Sequence, residues 1–142
     1  MKMKNKKGFT LVELLAVIVI LALLVAIAVP STISISNRLK KNMYCSKIDS
    51  IENAAQLYGE DHRDSFTKDF EQEGEIYKSK EISVKDLVDS GDLRKDQKEE
   101  PYVVDPRDKK SDALYQMKFV VYVKYNRIYV AFPDDVKTTC GK

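Results

Sequence analysis

A carboxylate, Glu13, sits in a 21-residue run from Phe9 to Val29 whose only other non-apolar side chain is Thr10. An ionised carboxylate at mid-membrane costs on the order of 2 to 3 kcal/mol on insertion scales, and less near the interface. Such a charge needs a partner. Directly before the run stand Lys6, Lys7 and Gly8, and a cut after Gly8 would expose a new ammonium on Phe9. Glu13 lies four residues on, one helical turn or about 6 Å along the axis. Within one chain the two groups are near but poorly placed, whereas a staggered second copy can bring its ammonium to this carboxylate. In a water-poor helical core the pair offsets the burial cost, and a wrong register leaves both charges unpaired. This is chemistry that sets a register between copies.

The remaining reactive side chains point elsewhere less strongly. His62 is the only histidine; beside Asp61 and Asp64 at a helix end it reads as solvated charge rather than a metal ligand. No serine or cysteine nucleophile has a histidine at recognisable spacing, and no phosphate loop or zinc pattern occurs. No enzyme activity, cofactor or metal is expected. Lys78, Lys80, Lys85, Lys118 and Lys124, with nearby tyrosines, could contact DNA. Interleaved with Asp and Glu, they read instead as a solvated surface. Four of the 24 basic residues precede the apolar run, so the rest of the chain carries fewer basic than its 22 acidic residues. Nucleic acid is therefore a possible but unsupported partner. Cys45 and Cys140 could tie the tail back to a helix or stay as free thiols. An exported free cysteine is a liability, which favours the bond.

These residues need a particular frame. At 142 residues the chain suits one modest domain with an appendage. Residues 1–8 form a short cationic leader, and its lysines keep that end in the cytoplasm and place the head outside. Residues 9–30 form an apolar membrane or assembly helix, the run Phe9–Val29 spanning about 31 Å, one hydrocarbon core. Pro30 predicts a kink rather than a stop, because helical spacing resumes in Tyr44, Ile48, Ile51, Ala55 and Tyr58. The expectation is one helix of about fifty residues, ending near Gly59 and the charged cluster 60–64, with an apolar first half and an amphipathic second half. Residues 31–142 thus continue that helix into a globular head.

Within the head, residues 65–81 read as polar and irregular. Ser83–Gly91 reads as a short helix capped by Ser83, with Asp86 in its first turn and Gly91 at its end. Tyr115, Met117, Phe119, Val121 and Val123 alternate with polar neighbours, which predicts a strand. Asn126-Arg127 then reads as a turn, with Ile128, Val130 and Phe132 continuing inward. Pro101–Val104 could add an edge strand, and Asp134–Lys142 is a tail. The fold class is α+β: one long N-terminal helix packed on a small antiparallel β-sheet.

The N-terminus has three competing readings. Lysines, an apolar core and Ala26-Ile27-Ala28 fit a cleaved secretory signal, although the run is long and contains Glu13. A plain single-span anchor explains the length and the lysines. A subunit cut after Gly8 that then assembles uses the glycine, the aromatic residue and the glutamate together.

Lys7-Gly8-Phe9-Thr10-Leu11-Val12-Glu13-Leu14-Leu15 resembles the prepilin signal of type IV pilins and of type II secretion or competence pseudopilins. The resemblance covers about the first thirty residues. It implies that a prepilin peptidase cuts between Gly8 and Phe9 and N-methylates Phe9. It also implies that Glu13 directs docking through a neighbour's N-terminus, and that Pro30 is the kink common in this helix. Implied partners are other copies or other pilins in a helical polymer, an inner-membrane assembly platform with its motor ATPase, and membrane lipid before assembly. The implied destination is a single-pass membrane precursor that becomes a cell-surface filament. A pseudopilin in a secretion or DNA-uptake system remains the alternative, and a signal-anchored extracellular binding domain the more distant one. Many pilins carry both cysteines near the C-terminus around a terminal loop. Here Cys45 falls on the long helix, so that loop is not carried over.

Overall fold

Tyr44, Ile48, Ile51, Ala55 and Tyr58 form the seam on which the head is built. In the computed structural model, which describes residues 8–142, each of the five is at most 8% exposed. They lie on α1 (Leu11–Asp61), one 51-residue helix, as their three- and four-residue spacing predicts. The chain divides into two units, one up to Arg38 and one from Leu39 to Lys142. The first is the apolar part of α1, and the second is the head.

The head's sheet is a four-stranded antiparallel meander, β1 (Lys68–Gln72), β2 (Glu75–Ser83), β3 (Lys118–Lys124) and β4 (Arg127–Ala131), in the order β1-β2-β3-β4. Phe119, Val121 and Ile128 point inward as their alternation predicts, and with Ile82 they bury against the α1 seam. Gly59, expected to help end the helix, lies inside α1 and is buried. A Cβ there would come within 2.7 Å of Ile128 Cγ2 and 3.0 Å of Val121 Cγ1. The missing side chain is what lets α1 approach the sheet so closely.

Several local expectations give way to tertiary context. Residues 65–81 are not irregular: they hold β1 and most of β2, joined by Glu73-Gly74, both at positive φ. Two such residues between paired Gln72 and Glu75 make a tight turn whose twist suits a hairpin. The β3–β4 turn is Tyr125-Asn126 rather than Asn126-Arg127, because Lys124 pairs with Arg127. Both turn residues have positive φ, which asparagine tolerates well. Arg63 fastens this turn to the end of α1, donating to Asn126 Oδ1 at 2.7 Å and to its carbonyl at 2.8 Å.

Strand β3 starts at Lys118, not at Tyr115. Leu114 and Tyr115 are both buried, at 3% and 1% exposure, and a strand would turn two consecutive side chains to opposite faces. A helical turn, α3 (Ala113–Gln116), buries both. Residues 101–103 form bends and Val104 is irregular, so no edge strand forms there. The short helix expected at 83–91 is present as α2 (Val84–Ser90). Ser83 and Asp86 exchange capping hydrogen bonds, and Gly91 is left-handed at its end. The tail is α4 (Asp134–Cys140), anchored by the fully buried Val136.

Candidate functional site

Gly8, Phe9 and Thr10 precede α1 and are exposed. A Cβ built on Gly8 meets nothing within 4 Å, and its backbone is outside the left-handed region. Nothing in the chain's own packing calls for glycine at this position. Phe9 is 78% exposed. Thr10 starts the helix: Leu14 N–H donates to the Thr10 carbonyl at 3.2 Å. The Glu13 N–H donates to Thr10 Oγ1 at 3.3 Å, while Glu13 Oε2 accepts from the Thr10 N–H and hydroxyl, each at 3.0 Å. This reciprocal exchange is a capping box, which satisfies donors that every helix start leaves open.

The capping box changes the standing of Glu13. Beyond the expected pairing between copies, the carboxylate helps begin its own α1. Its two oxygens are unequal. Oε2 receives both Thr10 donors, whereas Oε1 makes no hydrogen bond among the described residues. Thr10 is the residue that sequence reasoning passed over, although threonine three residues before a glutamate is itself a helix-start signal.

From Leu11 to Ile27 the large apolar side chains are 45–80% exposed. A water-facing surface of that kind requires lipid or other helices to cover it. The helix is long and apolar enough to cross a membrane. The backbone of Pro30 lies within α1; its side chain, and with it the expected kink, falls outside the described residues, as do residues 1–7.

Within the head, Cys45 on α1 is bonded to Cys140 on α4, with Cα atoms 5.5 Å apart. Lys142 adds ion pairs to Asp49, at 2.8 Å, and to Glu52. The tail is thus held by a covalent link and by charge.

A part-exposed arginine links two buried side chains, Tyr44 on α1 and Asp105 in the segment after Val103. The Arg107 guanidinium lies 3.3 Å from the centre of the Tyr44 ring and grips Asp105 with hydrogen bonds of 2.8 to 3.2 Å. Burial pushes the Asp105 carboxyl up, but hydrogen bonds from the Arg107 side chain and backbone outweigh it and hold the group below its ordinary value. Pairing with Asp105 in turn raises Arg107.

His62 stacks on Tyr58 with ring centres 4.1 Å apart, and its Nδ1 lies 2.9 Å from the Tyr58 carbonyl. Among the described residues no three His, Cys, Asp or Glu side chains converge as a metal site would require. Four of the five lysines considered for DNA have partners within the head. Lys78 pairs with Asp69 and Lys124 with Glu73, Lys118 lies 3.9 Å from Glu81, and Lys80 donates to the Tyr58 hydroxyl.

The family model described as the prokaryotic N-terminal methylation motif matches residues 3–29, the signature of prepilin-type cleavage in type IV pilins and pseudopilins. No curated protein and no solved structure matches the chain. The matched motif supports a type IV pilin-like or pseudopilin precursor, and the long helix with its small antiparallel sheet is a pilin-like α+β fold. The motif marks it as a prepilin peptidase substrate and implies a structural subunit rather than an enzyme.

Proposed function

We propose that this protein is the structural subunit of a type IV pilus or pilus-like filament. Residues 1–8 are the leader removed after Gly8, residues 9–30 the membrane and assembly helix, and residues 31–142 the amphipathic helix and head. The peptidase leaves an ammonium on Phe9, which it methylates. In the assembled fibre that ammonium meets Glu13 of an adjoining copy. The observation that supports this reading is Glu13 itself: the only acidic or basic side chain in the apolar run, one helical turn from the proposed cut after Gly8, with no hydrogen bond to Oε1 among the described residues.

The energetics favour assembly only outside lipid. Each apolar side chain moved out of water is worth about 1.5 to 3 kcal/mol, but in the bilayer that gain is absent. Extraction then requires work, which a motor ATPase and an assembly platform would supply. Before assembly the precursor spans the membrane once with its head outside; afterwards the head forms the fibre surface.

Electron microscopy with an antibody to the head tests the reading. Wild-type cells should show labelled fibres. Glu13→Ala should give a processed, membrane-inserted subunit without them, and a normal fibre yield from that variant would contradict the proposal.

A further inference from the structure

The head bears two unlike surfaces that complement each other. One is a groove of about 820 Å³ between the Leu39 and Met43 face of α1 and the segment 92–109. Leu39 and Met43 are 56% and 58% exposed, and Leu93, Val103, Val104 and Pro106 complete an apolar lining. At its rim Lys47 and Asp96 neutralise each other at 2.5 Å, and Asp92 accepts from the Ser90 hydroxyl. Arg94 and Lys109 also border the groove. Neither side chain has an ion pair or hydrogen bond among the described residues, so with the carboxylate of Asp92 counted the groove lining keeps a net positive charge.

The other surface is the tip of the β1–β2 hairpin. Between Phe70 and Tyr77 it carries Glu71, Glu73 and Glu75 and no basic residue. Ile76, at 71% exposure, is the most exposed aliphatic side chain of the head. It pairs across the hairpin with Glu71, so the two share one face. Glu73 is engaged by Lys124 and Glu75 by the Tyr77 hydroxyl; Glu71 has no partner among the described residues. An exposed apolar knob beside an unpaired carboxylate thus matches an apolar groove rimmed by unpaired cations.

We infer that the hairpin tip of one copy seats Ile76 in the groove of the next, with Glu71 set against Arg94 and Lys109. No groove-lining residue belongs to β1 or β2, so knob and groove are separate surfaces of one chain. Contact between unlike surfaces is head-to-tail and propagates into an open helical array unless its rotation closes a ring. Matched charge selects this partner face over like-charged ones. The inference rests on the filament reading and adds a head contact to the one made by the apolar helices.

Thiol cross-linking of the full chain in fibre-forming cells tests it. The variant combining Met43→Cys with Ile76→Cys, treated with a short thiol cross-linker, should give a ladder of dimers and higher multimers on a non-reducing gel. Neither single variant should do so. Fibres without the ladder would overturn the contact, as would a cross-linked dimer from Met43→Cys alone, which would put groove on groove. If the double variant makes no fibres, charge exchange decides. Glu71→Arg and Arg94→Glu should each cut fibre yield about tenfold by placing like charges together, and their combination should restore it. Full yield from either single variant, or no recovery on combination, overturns the contact while leaving the filament reading intact. Absence of fibres from wild-type cells removes that reading, and this inference with it.

Discussion

Glu13 takes both Thr10 hydrogen bonds on one oxygen, Oε2, each at 3.0 Å, and leaves Oε1 without a partner among the described residues. The carboxylate can therefore begin its own helix and still present an acceptor to a neighbour. Capping and pairing between copies separate by mutation. Thr10→Val removes the cap, which costs about 1 kcal/mol at a helix start, but keeps the charge, so fibres should form. Glu13→Gln retains an acceptor without the charge and should abolish them. Fibre counts by electron microscopy, with membrane fractionation to show insertion, check both. Equal loss from the two variants would mean that Glu13 serves only the cap.

A Cβ added at Gly59 would come within 2.7 Å of Ile128 Cγ2, closer than such atoms can pack. Alanine within a helix normally gains about 1 kcal/mol over glycine. Here Gly59→Ala must displace buried β-branched side chains, and overpacking of that kind costs about 1 to 3 kcal/mol. The net expectation is a less stable head, measured by thermal melting of the detergent-solubilised chain. A higher midpoint would contradict the close approach of α1 to the sheet.

The bond between Cys45 and Cys140 joins residues 95 apart in sequence. Closing a loop of that length stabilises the folded state by about 4 to 5 kcal/mol on the chain-entropy model. Cys45→Ser with Cys140→Ser should lower the melting midpoint markedly and free α4 to protease. Mass measurement before and after reduction checks the bond itself. Two free thiols in the exported protein would refute it.

Asp105 makes the head sensitive to acid. Its pKa lies below the ordinary carboxylate value of about 3.9. A depressed folded-state pKa gives stability that is complete above the unfolded value and lost as pH falls through the folded one. The head should hold its stability down to about pH 4 and lose it below, as Arg107 releases Asp105 and loosens from Tyr44. Asp105→Asn should be about 1 kcal/mol less stable at neutral pH, since solvent screens the part-exposed Arg107. It should also show a shallower fall on acidification. Parallel slopes for the two proteins would contradict this role.

The seam of α1 was legible because one repeating spacing governs five buried side chains. Helix α2 was legible because its cap and its terminal glycine are local chemistry. The β1–β2 hairpin was not: β1 holds no buried residue, and β2 exposes Ile76 while burying Ile82, so neither strand offers a consistent apolar face to read. Leu114 and Tyr115 fitted the alternation of the strand that follows, and only the core shows that both are buried. At the candidate site Gly8, Phe9 and Glu13 stood out by contrast with lysines and grease. Thr10 did not, because a threonine in an apolar run is unremarkable until its partner is seen. The clasp from Arg63 to Asn126 joins residues 63 apart and has no local signal at all.

The most direct measurement is the N-terminal residue of the exported protein, by mass spectrometry of purified fibres. The account predicts a start at Phe9 carrying one added methyl group, and a Gly8→Phe variant that stays at precursor mass. A mature chain that keeps Met1, or begins at Val29 after Ala26-Ile27-Ala28, would contradict it.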